Sequence, residues 1–257
     1  MVQINLHHCK AASIELAMNL TDSKVDVALI QEPWINNTRV CGLSVKGYTL
    51  FVPSTEDKVR TCILARNELK FLNFHSFSNG DLTVVQREDR DGRSLALASV
   101  YMPYDAANPP GDIANKLTEY AKRRGIYLVL CCDANAHHRQ WGSADINERG
   151  ESVFNFITTN NLFICNKGNM PTFRTKDRET VIVITLTNFR SDYVLNWRVD
   201  SKCSFSNHSR ISFNLNFTGS KGEPYRNSRR TDWNSFRAIM NSELNAAPGC
   251  QLSSEGS

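Results

Sequence analysis

Residues 127–138 read YLVLCCDANAHH. The first six carry no charge and predict a strand covered on both faces, since a strand facing water alternates apolar with polar residues. Asp133 and Asn135 then stand on one side of its exit. A carboxylate and an amide two residues apart can hold a water and a phosphate oxygen together, as hydrolysis of a phosphodiester requires. The same residues also make an Asx-rich turn, and on their own they do not separate the two readings.

Working outward, residues 112–121 predict a helix capped by Asp112, with Ile113, Leu117, Tyr120 and Ala121 on its apolar side. Residues 25–30 (VDVALI) read as a second covered strand. Residues 2–6 (VQINL) alternate like a half-buried one, and a short helical run over 11–20 lies between them. Strand-like runs recur at 48–52, 61–65, 69–74, 82–86 and 95–101. A helix over 151–159 and short strands at 181–186, 193–199 and 211–217 follow. Many short strands with few, scattered helices predict an α+β sandwich in one domain over 1–217.

The texture changes at Thr218, where TGSKGEPYRNSRR reads as a basic linker. A capped helix follows, with Asp232 ahead of Trp233, Phe236, Met240 and Leu244. Its apolar stripe has nothing after it to pack against, so 218–257 reads as a linker and the start of a truncated segment.

Composition bounds the function. The 257 residues carry 30 Lys+Arg against 26 Asp+Glu, a net charge of +4 that permits a polyanionic partner without demanding one. Hydrophobic residues at 41%, with 13 Phe, argue against disorder. No apolar run is long enough to span a membrane, and no cleavable signal opens the chain. Eight cysteines without a CxxC pair fit reduced thiols in an intracellular protein, nuclear or cytoplasmic. Glycine-rich phosphate loops are absent, which leaves no small-molecule cofactor to expect. His7-His8, His137-His138 and Cys131-Cys132 fit no structural zinc spacing.

Other polar residues stand at strand ends. Glu32, in Gln31-Glu32-Pro33-Trp34, leaves the VDVALI strand at its carboxyl end. A carboxylate there suits a hard cation such as Mg²⁺, or equally an exposed turn before a proline. His208 lies in Ser206-Asn207-His208 just before ISFNLNF, Asn5 in QINLHH and Tyr101 in SVYMPY. The basic runs Lys122-Arg123-Arg124 and Arg229-Arg230 read as solvated faces or as contacts to a DNA backbone.

In their order, QINLHH, QEPW, SVYMPY, CDANAHH, ETVIVITLTN, NWRV and FSNHSRISF resemble the endonuclease/exonuclease/phosphatase family. Within it they look like the apurinic-type endonuclease domain of non-LTR (LINE-like) retrotransposons, the insect kind in particular. The resemblance spans about residues 1–217, and RNSRRTDW looks like the segment that leads on to a reverse transcriptase.

The resemblance implies a four-layer, DNase-I-like α/β sandwich: two mixed sheets face to face, helices outside, the site at one edge. It implies a Mg²⁺- or Mn²⁺-dependent endonuclease that nicks double-stranded DNA, fused to a reverse transcriptase in one longer polypeptide. Asn5 matches the family's asparagine that orders metal and phosphate, and Glu32 its principal metal ligand. Tyr101 matches the tyrosine at the scissile phosphate, and Asp133 the aspartate that orients or deprotonates the attacking water. Asn135 matches the neighbouring phosphate binder, and His208 the histidine that stabilises transition-state charge.

Two positions depart from the pattern. The family's Ile-Asp reads Ile182-Val183 here, and its Ser-Asp-His reads Ser206-Asn207-His208. Both carboxylates expected to orient His208 are lost, which leaves that ring less firmly held and less readily cationic. The expectation is therefore an endonuclease of impaired activity. Its rivals are an inactive retrotransposon remnant that keeps the fold and weak DNA binding, and a phosphatase-like relative, which QEPW, NWRV and RNSRRTDW disfavour.

Overall fold

A computed structural model describes residues 1–55, 57–88, 92–106, 109–216, and 234, 235, 237, 238, 240 and 241. By internal contacts the chain divides into Met1–Asn216 and Phe217–Ser257. In the second unit the described residues are helical. Arg229, Arg230, Trp233, Phe236 and Leu244 lie outside the described residues.

In the first unit the strands, in chain order, begin with β1 (Val2–Asn5), β2 (Val27–Gln31), β3 (Ile35–Asn36), β4 (Arg39–Val40) and β5 (Tyr48–Phe51). Next come β6 (Thr61–Arg66), β7 (Leu72–Asn73), β8 (Leu82–Glu88), β9 (Ser94–Tyr101), β10 (Tyr127–Asp133) and β11 (Phe163–Ile164). The last are β12 (Phe173–Arg174), β13 (Glu179–Thr180), β14 (Val183–Thr187), β15 (Val194–Val199) and β16 (Ile211–Leu215). Helix α1 (Lys10–Asp22) joins β1 to β2, α2 (Asp112–Arg124) joins β9 to β10, and α3 (Glu148–Thr159) follows β10.

The expected sandwich is present as two mixed six-stranded sheets, ordered β15-β16-β1-β2-β6-β5 and β11-β14-β10-β9-β8-β7. Each contains one parallel pair, β1 with β2 and β9 with β10, and each pair is connected through a helix as parallel strands require. Outward-facing Val2, Ile4, Ala28 and Ile30 bury Ala12, Leu16 and Leu20 of α1. Val84, Ala98, Leu128 and Leu130 do the same for α2 and α3, through Leu117, Val153 and Ile157.

Between the sheets polar side chains meet across the gap. Gln31 Nε2 donates to Ser99 Oγ and to the Cys131 carbonyl, both at 2.9 Å. Gln3 Nε2 reaches the Cys132 and Ile184 carbonyls at 3.2 Å, and its Oε1 accepts from Thr185 Oγ1 at 2.8 Å. Gln3, Gln31, Ser99 and Thr185 are fully buried. Such groups lie inside a fold only when hydrogen-bonded.

Most expected elements are present with shifted ends. The strand expected over 69–74 is instead a 3₁₀ turn, Asn67–Leu69, and the two-residue β7. Lys70, between them, has a left-handed backbone that interrupts any strand. Helix α3 starts three residues before the expected one, because Asn147 caps it with its side chain accepting from Gly150 N–H.

Candidate active site

Parallel pairing decides where the polar residues gather. It aligns the carboxyl ends of β1 and β2, with Asn5 opposite Gln31, and of β9 and β10, with Tyr101 opposite Asp133. The antiparallel β14 and β16 begin at that same end, Val183 opposite Asp133 and Ile211 opposite Gln3. The two sheets are tied there by Asn5, whose Nδ2 donates to Asp133 Oδ2 at 2.6 Å.

Asp133 is almost fully buried, and burial pushes its carboxyl up to about 7. The Asn5 hydrogen bond works against that rise and nearby Glu32 adds to it. Its other oxygen, Oδ1, takes only a long 3.4 Å contact from the Asn135 N–H. Asn135 has a left-handed φ of 46° that turns the chain sharply out of β10, and its Nδ2 donates to the Met102 carbonyl at 3.1 Å.

Glu32 also has a left-handed φ, 44°, so its side chain turns back over the sheet edge. Its carboxylate lies 3.6 Å from His7 Nδ1 and 3.6 Å from His8 Nε2. Among the described residues no Lys or Arg pairs with it. Tyr101 is close enough that Glu32 and Asp133, after burial, hold its phenol above the usual range. The Arg60 guanidinium lies 5.4 Å over the Tyr101 ring and pairs with Asp81.

His208 is brought in by the loop before β16. Its Nε2 is 3.9 Å from Asp133 Oδ2, and Phe173 packs edge-on against the ring at 4.8 Å. The ring is buried, its Nδ1 has no hydrogen-bond partner, and burial lowers its proton affinity to about 3. Usual proton affinities are thereby inverted: in this pair the aspartate holds a proton more tightly than the histidine.

Val183, where the family pattern has an aspartate, is buried opposite Asp133. Thr172 ties it to Ser209, the residue after His208, its Oγ1 accepting from the Val183 N–H at 3.1 Å and its carbonyl from the Ser209 N–H at 2.9 Å. Asn207 is exposed, and its backbone carbonyl accepts from Arg174 N–H at 2.8 Å. No described hydrogen bond joins the Asn207 side chain to the His208 ring, as the loss of a carboxylate at this position leads one to expect.

Asn5, Glu32, Tyr101, Asp133, Asn135 and His208 thus come together, from segments up to two hundred residues apart. Lys122, Arg123 and Arg124 do not. They end α2 just before Tyr127, the far end of a seven-residue strand from Asp133, about 20 Å away. The expectation for them is contact with a DNA backbone, which does not require a place in this cluster.

Three features escaped the sequence reading. Arg149 of α3 donates to the carbonyls of Met102, Tyr104, Ala106, Ala134 and Asn135, at 2.6 to 3.4 Å. One guanidinium therefore clamps the loops leaving β9 and β10. His7 and His8 flank Glu32. Finally, among the described residues, five of the eleven non-glycine residues with positive φ lie at this edge: His7, His8, Glu32, Asn135 and Phe205. Each such conformation persists only where its surroundings over-determine it, and these cluster at functional sites.

The donors fit a hard divalent cation. Glu32 offers a carboxylate that no Lys or Arg pairs among the described residues, and Asn5 Oδ1, which accepts from His7 N–H at 2.7 Å, retains a second lone pair. Among the described residues no three His, Cys, Asp or Glu side chains group as a metal cage. That suits Mg²⁺, which binds through one or two carboxylates and keeps waters or substrate phosphates as its other ligands.

Residues 95–212 match the family described as "Endonuclease-reverse transcriptase". No curated protein matches the chain. Among solved structures, the endonuclease domain of TRAS1, a telomere-specific non-LTR retrotransposon, aligns at a TM-score of 0.71 and 24% identity, over 85% of this chain and 98% of that one. An AP endonuclease from Leishmania major aligns at 0.64 and 13%, over 82% and 86%. The catalytic domain of Xenopus laevis APE2 aligns at 0.64 and 13%, over 84% and 91%. At these identities the likeness establishes the fold. The matched family agrees with the sequence resemblance over residues 95–212, a little under half of the chain, and the solved structures agree with it in fold.

Proposed function

We propose that Met1–Asn216 is a divalent-metal-dependent DNA endonuclease domain, acting in the nucleus or cytoplasm. It nicks one strand of a duplex and leaves a 3′-hydroxyl from which a reverse transcriptase in the same polypeptide primes. The observation that carries this reading is the Asn5–Asp133 hydrogen bond, which closes the two sheets around the six matched residues.

Glu32 and Asn5 would hold Mg²⁺ or Mn²⁺, which supplies positive charge against the oxygen charge that grows during phosphodiester cleavage. Asp133 presents Oδ1 to the attacking water and takes its proton, because Oδ2 is committed to Asn5. Attack in line forms the new P–O bond and breaks the bond to the 3′ oxygen, which then takes up a proton. Tyr101, Asn135 and His208 surround the phosphate with donors. Arg149 keeps the loops bearing these groups in register.

A second reading, an inactive remnant that retains the fold and weak DNA binding, is favoured by one observation. The buried His208 Nδ1 has no partner where the family places a carboxylate, and Val183 fills that strand position. The test is a supercoiled-plasmid nicking time course. Nicking that requires Mg²⁺ or Mn²⁺, stops with EDTA and is abolished in a folded Glu32→Gln variant supports the first reading. Metal-independent nicking overturns the mechanism, and no nicking at any metal concentration leaves the remnant.

A further inference from the structure

Phe205 is placed where neither folding nor solvation favours it. Its φ of 55° lies in the left-handed region, which a bulky side chain rarely adopts and glycine adopts freely. Its ring is 59% exposed. Tyr104 and Phe205 are the two most exposed aromatics among the described residues, and both stand on loops at the active-site edge, one from each sheet.

The backbone around Phe205 is held by serines. Ser204 Oγ donates to the Ser206 carbonyl at 3.2 Å and the His208 carbonyl at 2.5 Å, and accepts from the Ser206 N–H at 3.3 Å. Ser206 Oγ accepts from the His208 N–H at 3.2 Å and donates to the Asn5 carbonyl at 2.8 Å. The turn that pushes Phe205 into solvent is thus bonded directly to two residues of the site. Phe205 stands three positions before His208, at most about 10 Å of chain.

We propose that Phe205 is a DNA-stacking residue, packing its ring against a base of the nucleotide next to the scissile phosphate. The proposal rests on the DNA-nicking reading. Every base offers an aromatic face, so stacking of this kind adds affinity and positions the strand without demanding a sequence. Its gain appears only in the complex, which accounts for a strained, exposed aromatic that the free protein does not need.

The experiment measures binding of a short fluorescein-labelled duplex by anisotropy, in EDTA so that nothing is cut, together with thermal melting of each protein. Phe205→Gly relaxes the left-handed backbone, so its Tm should equal or exceed that of the unaltered protein. Its Kd should nonetheless weaken about 5- to 100-fold, the scale of one lost base stack. Phe205→Ala should bind as poorly, and Phe205→Tyr should bind as well as the unaltered chain. The salt dependence of binding should not change, since no charge is removed. If Phe205→Gly binds as tightly as the unaltered protein, or melts lower in step with its lost binding, the stacking role is wrong and the DNA reading stands. If the unaltered protein binds no duplex even at low salt, the DNA reading itself falls and takes the stacking role with it.

Discussion

Val183, heading β14, is the antiparallel register partner of Asp133, ending β10. An apolar side chain therefore sits at the strand position opposite the Asp133 carboxylate, which lies 3.9 Å from a histidine whose Nδ1 is buried without a partner. Restoring a carboxylate at this position tests how much the missing one matters. Val183→Asp should raise plasmid nicking in part, and Val183→Asp with Asn207→Asp by about 10²- to 10⁴-fold, the scale of an orienting aspartate behind a catalytic histidine. The two gains should be non-additive, as both would act on one ring. A folded but inactive double variant would remove His208 from its assigned role.

Metal-free stability should carry two opposing pH slopes. Asp133 is raised from 3.8 to about 7, so the folded state keeps a proton that the unfolded chain releases. Its contribution is full below about pH 4 and is lost as pH rises to about 7. His208 is lowered from 6.5 to about 3, so its contribution is full above about pH 6.5 and is lost as pH falls toward 3. Urea melts in EDTA separate them. The midpoint of Asp133→Asn should climb from about pH 4 to 6.5, and that of His208→Gln should fall over the same range. Flat profiles in both variants would contradict the inverted proton order.

Removing the Arg149 fork should loosen the exits of β9 and β10 together. Arg149→Met leaves five carbonyls without their donor and should cost about 1–3 kcal/mol, with slower nicking. Arg149→Lys keeps the charge but not the planar fork, so it should melt nearer to the Met variant than to the unaltered protein. Equal melting of Arg149→Lys and the unaltered chain would show that charge alone suffices.

Duplex binding should weaken steeply with salt. Three or four neutralised phosphates give a log–log slope near about −3. Because Lys122, Arg123 and Arg124 end α2 at the far end of β10, replacing all three by alanine should leave that slope unchanged. A slope reduced by two or more would return them to the DNA-binding surface.

The strand that opens at Tyr127 and the polar exit after it were legible because covered strands and sudden polarity leave a strong local signal. Gln3 and Asn5 were harder. Alternation along VQIN reads as one wet face, whereas that face meets the second sheet, with Gln3 bonded to Cys132 and Ile184. Arg149 lay ahead of the helix expected over 151–159, and only the chain path brings five carbonyls to it. The positive φ of Glu32 and Phe205 left no glycine or asparagine to mark it. The lysine and arginines after Tyr120 show the opposite limit: charge is visible in a sequence, but which end of a strand it occupies is not.

The strand order also sets a schedule for synthesis. Among the described strands β1 comes first along the chain, yet its neighbour β16 comes last, inserted between β15 and β1. Until β16 arrives, β1 has an unpaired edge, and the loop bearing Ser206 and His208 has no anchor at Asn5. At about 5–20 residues per second, the ribosome leaves that gap open for about 10–40 s. A chain cut short before residue 208 would lack His208 and leave the β1 edge open, so incomplete products should aggregate.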